Sequence, residues 1–299
     1  METKMKNNKV RLFMTSEFLH NYKRSPIAIT SSIVLLLIIL TAIFGPHFTV
    51  QNPYDLGSLN LSDSYKPPAW MDGGEWKFVL GTDQNGRDIL SAIIYGSRVS
   101  LYIGIVGVLL TSLVGISLGL IAGYFGGKFD TLIMRVADIQ LAFPSMLIAL
   151  FLMGISGPSI RNILIALTLI GWVRYTRIVR GEVLSVREKE YVEAAKVIGF
   201  SNASIIIKQI LPNVLTSIIV VSTLRVGSFI MIEATLSFLG VGVPISAPSL
   251  GMLCSDGFKV LYSGLWWVSI FPGLYIVLIV FAVNLLGDFL RDELNPKLK

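Results

Sequence analysis

The sequence predicts an all-α protein that is integral to a membrane. Of its 299 residues, 53% are hydrophobic and only 15% are charged, whereas soluble domains carry about 25% charged residues. Six apolar segments each have roughly the 20 residues that a helix needs to cross about 30 Å of hydrocarbon. Because a helix satisfies its own backbone hydrogen bonds in that setting, these segments predict a bundle of six membrane-spanning helices.

The elements follow one another in a simple order. An N-terminal arm (1–26) precedes the first span (27–46), whose apolar run is long for a signal peptide and lacks a good cleavage site. A polar extracytoplasmic loop (47–97) and a region of five more spans (98–288) come next, and a short tail (289–299) follows. The five spans are expected near 99–123, 131–154, 162–181, 214–238 and 266–288.

Lysine and arginine residues predict the orientation of the chain. They are concentrated in the N-terminal arm, in residues 174–208 and near the C-terminal end, whereas the other loops carry few. Basic loops stay in the cytoplasm of membrane proteins. We therefore expect both termini and the stretch Arg187–Asn213 to be cytoplasmic.

The stretch Arg187–Asn213 is polar, although long apolar segments flank it. Its pattern predicts a helix from Glu190 that is ended by Gly199, a second helix capped by Ser201, and a stop at Pro212. Such a helix pair is typical of a docking element for another protein, and a pair that rests on the bilayer is the alternative. One face of the first helix would carry Tyr191, Ala194, Ala195 and Ile198, and another Glu190, Glu193 and Lys196; the second helix would repeat the apolar pattern with Ala203, Ile206, Ile207 and Ile210.

A glycine-rich polar motif precedes the second span. Its glycines permit tight turns, and its charged residues are expected to pair and hold them. The spacing does not fit an EF-hand calcium loop. We expect a folded cap that fixes the direction of the second span, built from Gly81, Thr82, Asp83, Gly86, Arg87 and Asp88.

Three charged residues fall within the predicted spans, where charge is costly and is usually buried against a partner. Asp138 is one helical turn from Arg135, which predicts a local ion pair. Arg225 and Glu233 are about 12 Å apart along one helix. They are too far apart to pair, so we expect them to line a water-filled path or to face a partner subunit. A proton relay is the other interpretation.

Prolines and glycines predict the shapes of the spans. Pro144 and Pro272 should kink the third and sixth spans. In the second span, Gly115, Gly119 and Gly123 recur at every fourth residue, a spacing that suits close packing against another helix.

Residue counts argue against catalysis by this chain. It has one cysteine and two histidines, which exclude an intramolecular disulfide and argue against a histidine-rich metal site or a hydrolase triad. No phosphate-binding Gly-x-x-x-x-Gly-Lys-Ser/Thr loop occurs. We expect no enzyme activity, no bound cofactor or metal and no nucleic-acid partner, so any ATP would be hydrolysed by another chain.

These motifs resemble the inner-membrane permease subunits of binding-protein-dependent ABC importers. That family has a cytoplasmic Glu-Ala-Ala, three residues and a glycine, followed by a distal Leu-Pro; here the residues are Glu193, Ala194, Ala195, Gly199, Leu211 and Pro212. Within the family, the sequence is similar to the second permease of dipeptide, oligopeptide and nickel importers. That similarity lies in residues 81–88, 96–101, 134–138, 236–242 and 284–296.

The resemblance implies the transmembrane-domain fold of a type I ABC importer. It implies a heterodimer with a homologous permease, two cytoplasmic ATPase subunits that hold ATP and Mg, and an extracytoplasmic binding protein that delivers peptide. The protein would lie in a bacterial cell membrane, with lipid around its spans. The helix at Glu190–Ile198 would be the coupling helix, with Tyr191 among its contact residues.

Two other functions stay open. A nickel or metal-chelate importer would have the same permease architecture, because its binding protein would hold the metal. An ion-coupled secondary transporter would use Asp138, Arg225 and Glu233 and would need no ATPase.

Overall fold

The computed structural model describes residues 18–294, apart from residues 54, 56, 58, 245, 246 and 248. Within these residues it is helical, and its only β-type pairing is an isolated bridge between Thr82 and Asp88. The prediction of an all-α fold is confirmed. From Pro26 onward the helices are α1 (Pro26–Phe44), α2 (Ile89–Phe125), α3 (Gly127–Leu141), α4 (Ser145–Ser156), α5 (Ile160–Val186), α6 (Glu190–Val197), α7 (Asn202–Ile205), α8 (Leu211–Phe238), α9 (Leu250–Val260) and α10 (Trp267–Leu294).

Five helical stretches of the described chain are long and apolar enough to cross a membrane, and a sixth exists only if α3 and α4 together form one span. These two helices meet at an angle of 87°, so the segment predicted as one kinked helix over 131–154 is instead two helices with a sharp break between them. The physical reason is Pro144, which has no backbone N–H and disfavours a helical conformation of the residue before it. The chain therefore turns at residues 142–144 and starts a new helix at Ser145.

Helix α2 begins earlier than expected, at Ile89, so the polar loop before it ends at residue 88 and not at 97. The side chain of Asp88 caps the helix by accepting a hydrogen bond from the backbone N–H of Ser91. With 37 residues, α2 is about 55 Å long. It is therefore longer than the hydrocarbon layer is thick, and it joins the polar loop before it to α3.

Glycines in α2 allow close packing against α5, as the sequence predicts. A Cβ atom at Gly119 or at Gly123 would lie 2.7 Å from the Cβ atom of Val179 or Val183, respectively. At Gly115 it would lie 2.8 Å from the carbonyl oxygen of Trp172. Real Cβ atoms do not approach other atoms so closely, so only glycine permits this contact between the two helix backbones.

Helix α9 lies between the last two spans, in residues 239–265, for which the sequence predicts no membrane-spanning helix. Ser249 caps it by accepting a hydrogen bond from Met252. Gly251 packs against the backbone of Ala234 in α8, and Gly257 packs against the backbone of Ser269 in α10. This short helix therefore packs between the end of α8 and the start of α10.

The two ends of the described chain lie side by side. Asn21 donates hydrogen bonds of 3.0 Å to both carboxylate oxygens of Glu293. The rings of Phe18 and Tyr22 contact Phe289 at centroid distances of 5.8 Å. These contacts hold the end of the N-terminal arm against α10. Residues 1–17 and 295–299 are outside the described residues; they contain six of the lysine and arginine residues on which the predicted orientation rests.

Candidate functional site

The predicted coupling segment forms a short helix, α6, that stops at a glycine. The backbone N–H of Gly199 donates to the carbonyl of Lys196, and that of Phe200 donates to the carbonyl of Ala195. This hydrogen-bond pattern is a Schellman motif, which needs a left-handed residue at the helix end. Gly199 has φ +90 and no atom within 4 Å of the position a Cβ would take. Its backbone conformation, and not a lack of space, therefore requires glycine.

One face of α6 is attached to the rest of the chain. Val192 and Ala195 are buried and pack in one cluster with Val183 of α5, Ile205 of α7 and Ile210 just before α8. The prediction that Ala195 shares an outer face with Tyr191, Ala194 and Ile198 is wrong, because Ala195 alone of these four is buried. Because the branched Val192 fills the groove between the spans, the helix is rotated so that Ala195 points inward and Ala194 outward.

The opposite face of α6 is exposed and carries both apolar and charged side chains. Val197 is 88% exposed and Ile198 is 73% exposed, and Tyr191 and Ala194 also face outward. Glu193 adds an exposed acidic group. An apolar patch of this kind next to charged residues is typical of a surface that another protein covers.

The second half of the segment does not end at Pro212 as predicted. Ser201 caps α7 as expected, through a hydrogen bond from the backbone N–H of Ser204. The chain then forms a π-helical turn at Ile206–Ile210 and continues directly into α8. The wide turn accommodates Pro212, which lacks a backbone N–H and would clash with the carbonyl one turn earlier in a regular helix.

Side chains also connect the segment to α2. The hydroxyl of Tyr124 donates to the side-chain oxygen of Asn202 (2.9 Å), and the guanidinium of Arg187 donates to the carbonyl of Gly123 (2.9 Å). The segment is therefore fixed to the ends of α2, α5 and α8.

The glycine-rich polar motif at residues 81–88 is a folded cap. The carboxylate of Asp83 accepts hydrogen bonds from the backbone N–H groups of Asn85 (2.8 Å) and Arg87 (2.9 Å). The guanidinium Nε of Arg87 is 3.9 Å from the same carboxylate. Thr82 accepts a hydrogen bond from the backbone of Lys66 (2.7 Å). Gly81 and Gly86 have φ +82 and +71, which suit glycine. These contacts join the motif to the earlier part of the loop.

Burial raises the pKa of both acids in this cap. For Asp83 the removal of water outweighs the hydrogen bonds from Arg87 and Asn85, which lower the pKa. For Asp88 it outweighs the hydrogen bonds from Ser91, and one of its carboxylate oxygens is buried without a partner. Burial thus destabilises the charged form of both carboxyl groups in this motif. In the described residues there is no group of three or more His, Cys, Asp or Glu side chains that could hold a metal ion.

The intramembrane charges are arranged differently from the prediction. Asp138 does not pair with Arg135; it accepts a hydrogen bond from Arg177 of α5 at 2.5 Å. A second pair, which the sequence analysis missed, joins Arg180 of α5 to Asp130 through two hydrogen bonds. The broken helix α3 is thus fastened to α5 by ion pairs across helices.

Glu233 is fully buried and faces neither a water-filled path nor a partner subunit, which corrects the prediction. Its carboxylate accepts hydrogen bonds from Ser100 of α2 (2.7 Å) and from Ser237 (2.8 Å). The hydroxyl of Ser237 in turn accepts a hydrogen bond from the backbone N–H of Val243. Glu233 therefore ties α2 and α8 to the loop that leads into α9. Arg225 lies apart from it and is half-buried.

Comparison with known proteins decides the family. Residues 115–299 match the family described as binding-protein-dependent transport system inner membrane component, and residues 14–68 match the N-terminal transmembrane domain of oligopeptide transport permease C. The chain belongs to this family of inner-membrane permeases. The resemblance in the motifs is confirmed, and this permease is a multi-pass membrane protein of the dipeptide and oligopeptide branch.

Several relatives are similar to this permease over most of their length. The dipeptide transport system permease protein DppC of Haemophilus influenzae is 40% identical over 283 residues, which cover 95% of each chain. DppC of Bacillus subtilis is 37% identical and is matched over 96% of this permease and 87% of its own chain. The oligopeptide permease OppC of Bacillus subtilis is 38% identical, with 98% and 93% covered.

A solved structure shows the same fold. A chain of the MetNI methionine ABC transporter, in an inward-facing conformation, superposes with a TM-score of 0.54 and 17% identity. The match covers 69% of this permease and 97% of that chain. This confirms the predicted transmembrane fold of an ABC importer.

Proposed function

We propose that this permease forms half of the passage through which an ATP-driven importer of a bacterial cell membrane takes up short peptides. A homologous permease would form the other half, and two ATP-binding subunits would dock on the cytoplasmic side. An extracytoplasmic binding protein would deliver the peptide. Both termini and the segment containing α6 would lie in the cytoplasm, as the basic residues predict.

The observation that carries this proposal is the outward face of α6, which exposes large apolar side chains beside charged ones. Val197 and Ile198 are exposed there beside Glu193, while Val192 holds the helix to the spans. A surface of this kind suits a groove on another protein. The peptide substrate is supported by the relatives, which are named as dipeptide and oligopeptide permeases.

The proposed mechanism is mechanical. ATP binding would close the two ATPase subunits and displace the α6 helices seated on them. Because α6 packs in one cluster with residues of α5 and α8, and because Arg187 and Asn202 on either side of it are hydrogen-bonded to the end of α2, its displacement would tilt these spans as one body. The passage would then open to the opposite side. This chain would contribute the moving walls and no chemical step.

The proposal is tested with the complete complex in lipid vesicles, by measuring peptide uptake and ATP hydrolysis in the same sample. Glu193→Lys reverses an exposed charge on the docking face. Gly199→Pro removes both the left-handed conformation and the hydrogen bond to Lys196. We expect both variants to insert and assemble, to lose at least tenfold in uptake, and to hydrolyse ATP without response to the loaded binding protein.

Asp292→Lys is the control, because it reverses an exposed acidic charge on α10, outside the segment that contains α6. It should retain most of the uptake. Normal uptake by Glu193→Lys and Gly199→Pro would contradict the coupling role. Uptake of chelated nickel in place of peptide by the unmodified complex would leave the coupling role intact and replace the substrate.

A further inference from the structure

Two arginines on neighbouring spans have no acidic partner in the described residues. Arg225 lies in the middle of α8, and Arg174 lies on α5. The hydroxyls of Tyr175, which follows Arg174, and of Ser222, one turn before Arg225, lie 3.1 Å apart, so the two spans meet at the level of these arginines. The Nε atom of Arg225 is buried without a hydrogen-bond partner.

The acids within the neighbouring spans are engaged elsewhere. Asp130 and Asp138 are bound by arginines farther along α5, at Arg180 and Arg177. Glu233 is enclosed by serine hydroxyls, and Glu182 accepts a hydrogen bond from Ser217 at 3.1 Å. No acidic side chain in the described residues offsets the charge of Arg225. Its counter-charge must therefore come from outside this part of the chain.

The depth of Arg225 makes this lack of a partner costly. It lies 14 residues after Leu211 and 13 residues before Phe238, which is about 20 Å from either end of α8. A charge at such depth faces a partner or a water-filled passage and avoids lipid. Arg225 is half-buried and Arg174 is exposed, so each side chain keeps part of its surface open to an approaching group.

The chemistry of the ligand follows from the guanidinium groups. Arginine binds carboxylates through paired, charge-assisted hydrogen bonds, and the hydroxyls of Tyr175 and Ser222, which are 3.1 Å apart, supply polar neighbours. We propose that Arg225 and Arg174 form a subsite that binds the C-terminal carboxylate of a peptide as it passes the centre of the membrane. The assignment of the carboxylate to a peptide rests on the proposed function. A carboxylate at this depth has lost most of its water, so the free-energy barrier to its passage is highest here. Two cations lower that barrier.

The test measures binding to the membrane complex without its binding protein. The complete assembly of permeases and ATPases is placed in lipid nanodiscs and titrated with a fluorescent tripeptide that ends in a free carboxylate or in an amide. We expect the unmodified complex to bind the free acid about tenfold more tightly than the amide. Arg225→Gln should bind both peptides with the weaker affinity, and Arg225→Lys should restore part of the preference. Arg161→Gln, which removes an exposed charge near the start of α5, should bind as the unmodified complex does.

Three results would overturn the subsite. One is that the unmodified complex binds both peptides equally or binds neither; another is that Arg225→Gln keeps the preference for the free acid. The third is that Arg225→Gln separates the two permease subunits in size-exclusion chromatography, because a carboxylate of the partner permease would then be the counter-charge. Failure of the proposed function is detected separately, as the absence of ATP-driven peptide uptake by the unmodified complex in vesicles.

Discussion

Asp138 shows how charged residues of this protein find their partners. Sequence spacing points to Arg135, one turn away on the same helix, but the structure pairs Asp138 with Arg177 on α5. Glu233 likewise binds Ser100, which is 133 residues away in sequence. Spacing along one helix reveals only partners on that helix, whereas in a bundle the neighbouring helices offer more of them. The identity of the intramembrane charges could therefore be predicted, and their partners could not.

The N-cap of α2 gives the first prediction at the residue scale. Asp88→Ala removes the acceptor for both the backbone N–H and the hydroxyl of Ser91. Loss of such a cap costs about 1 kcal/mol, so we expect a lower midpoint of thermal unfolding in detergent. Asp88→Asn keeps an acceptor oxygen and should unfold at the same temperature as the unmodified protein or higher. Equal midpoints for the two variants would contradict the capping role.

The raised pKa of Asp88 adds a pH dependence. Its ordinary pKa is 3.8, and burial raises it in the folded protein. Above pH 3.8 the folded state therefore holds a proton that the unfolded chain has released, so the stabilisation by this proton falls as the pH rises toward the folded pKa. Between about pH 4 and pH 7, thermal unfolding should shift downward more in the unmodified protein than in Asp88→Asn. An identical shift in both would show that the burial of Asp88 has no effect on stability.

At the scale of elements, the long apolar helices and the glycine contact between α2 and α5 could be predicted from hydropathy and spacing. Three features could not. The right-angle turn at Pro144 and the π turn before Pro212 depend on how the chain packs on both sides of each proline. The rotation of α6 depends on the groove that Val192 fills. In each case the local pattern allows several geometries, and tertiary packing selects one.

The glycine contact predicts a large effect from a small substitution. Gly119→Ala places a methyl group 2.7 Å from the Cβ atom of Val179 and 2.9 Å from the carbonyl oxygen of Thr176. Overpacking of this kind costs about 1–3 kcal/mol, so we expect a clearly lower unfolding temperature in detergent. Gly181→Ala on α5 is the control, because a Cβ there meets no atom within 4 Å. Equal effects of Gly119→Ala and Gly181→Ala would contradict close packing at Gly119.

The rotation of α6 predicts which of two adjacent alanines meets the ATPase. With Cys254 replaced by serine, a cysteine at position 194 or 195 is labelled with a photo-activated cross-linker in the assembled complex. Ala194 is exposed and Ala195 is buried, so position 194 should label readily and cross-link to the ATP-binding subunit, and position 195 should do neither. Cross-links from position 194 to lipid alone would favour a helix that rests on the bilayer.

At the scale of the whole molecule, the class of protein could be predicted more completely than its geometry. Hydropathy and the Glu-Ala-Ala motif together indicate an inner-membrane permease. The structure adds that α6 packs in one cluster with α5 and α8, and that Glu233 joins α2 to α8 near the other end of these helices. The molecule thus has an exposed helix face at one end, a buried carboxylate bonded to serine hydroxyls at the other, and midway two arginines that have no acidic partner in the described residues.

The central claim is that peptide movement through this chain is driven by ATP hydrolysed in its partners. The most direct measurement compares labelled peptide uptake into vesicles that contain either the complete complex or this chain with its homologous permease alone. We predict uptake only by the complete complex, and only with ATP and the binding protein. Uptake by the permeases alone, driven by a proton gradient without ATP, would contradict the account and establish a secondary transporter.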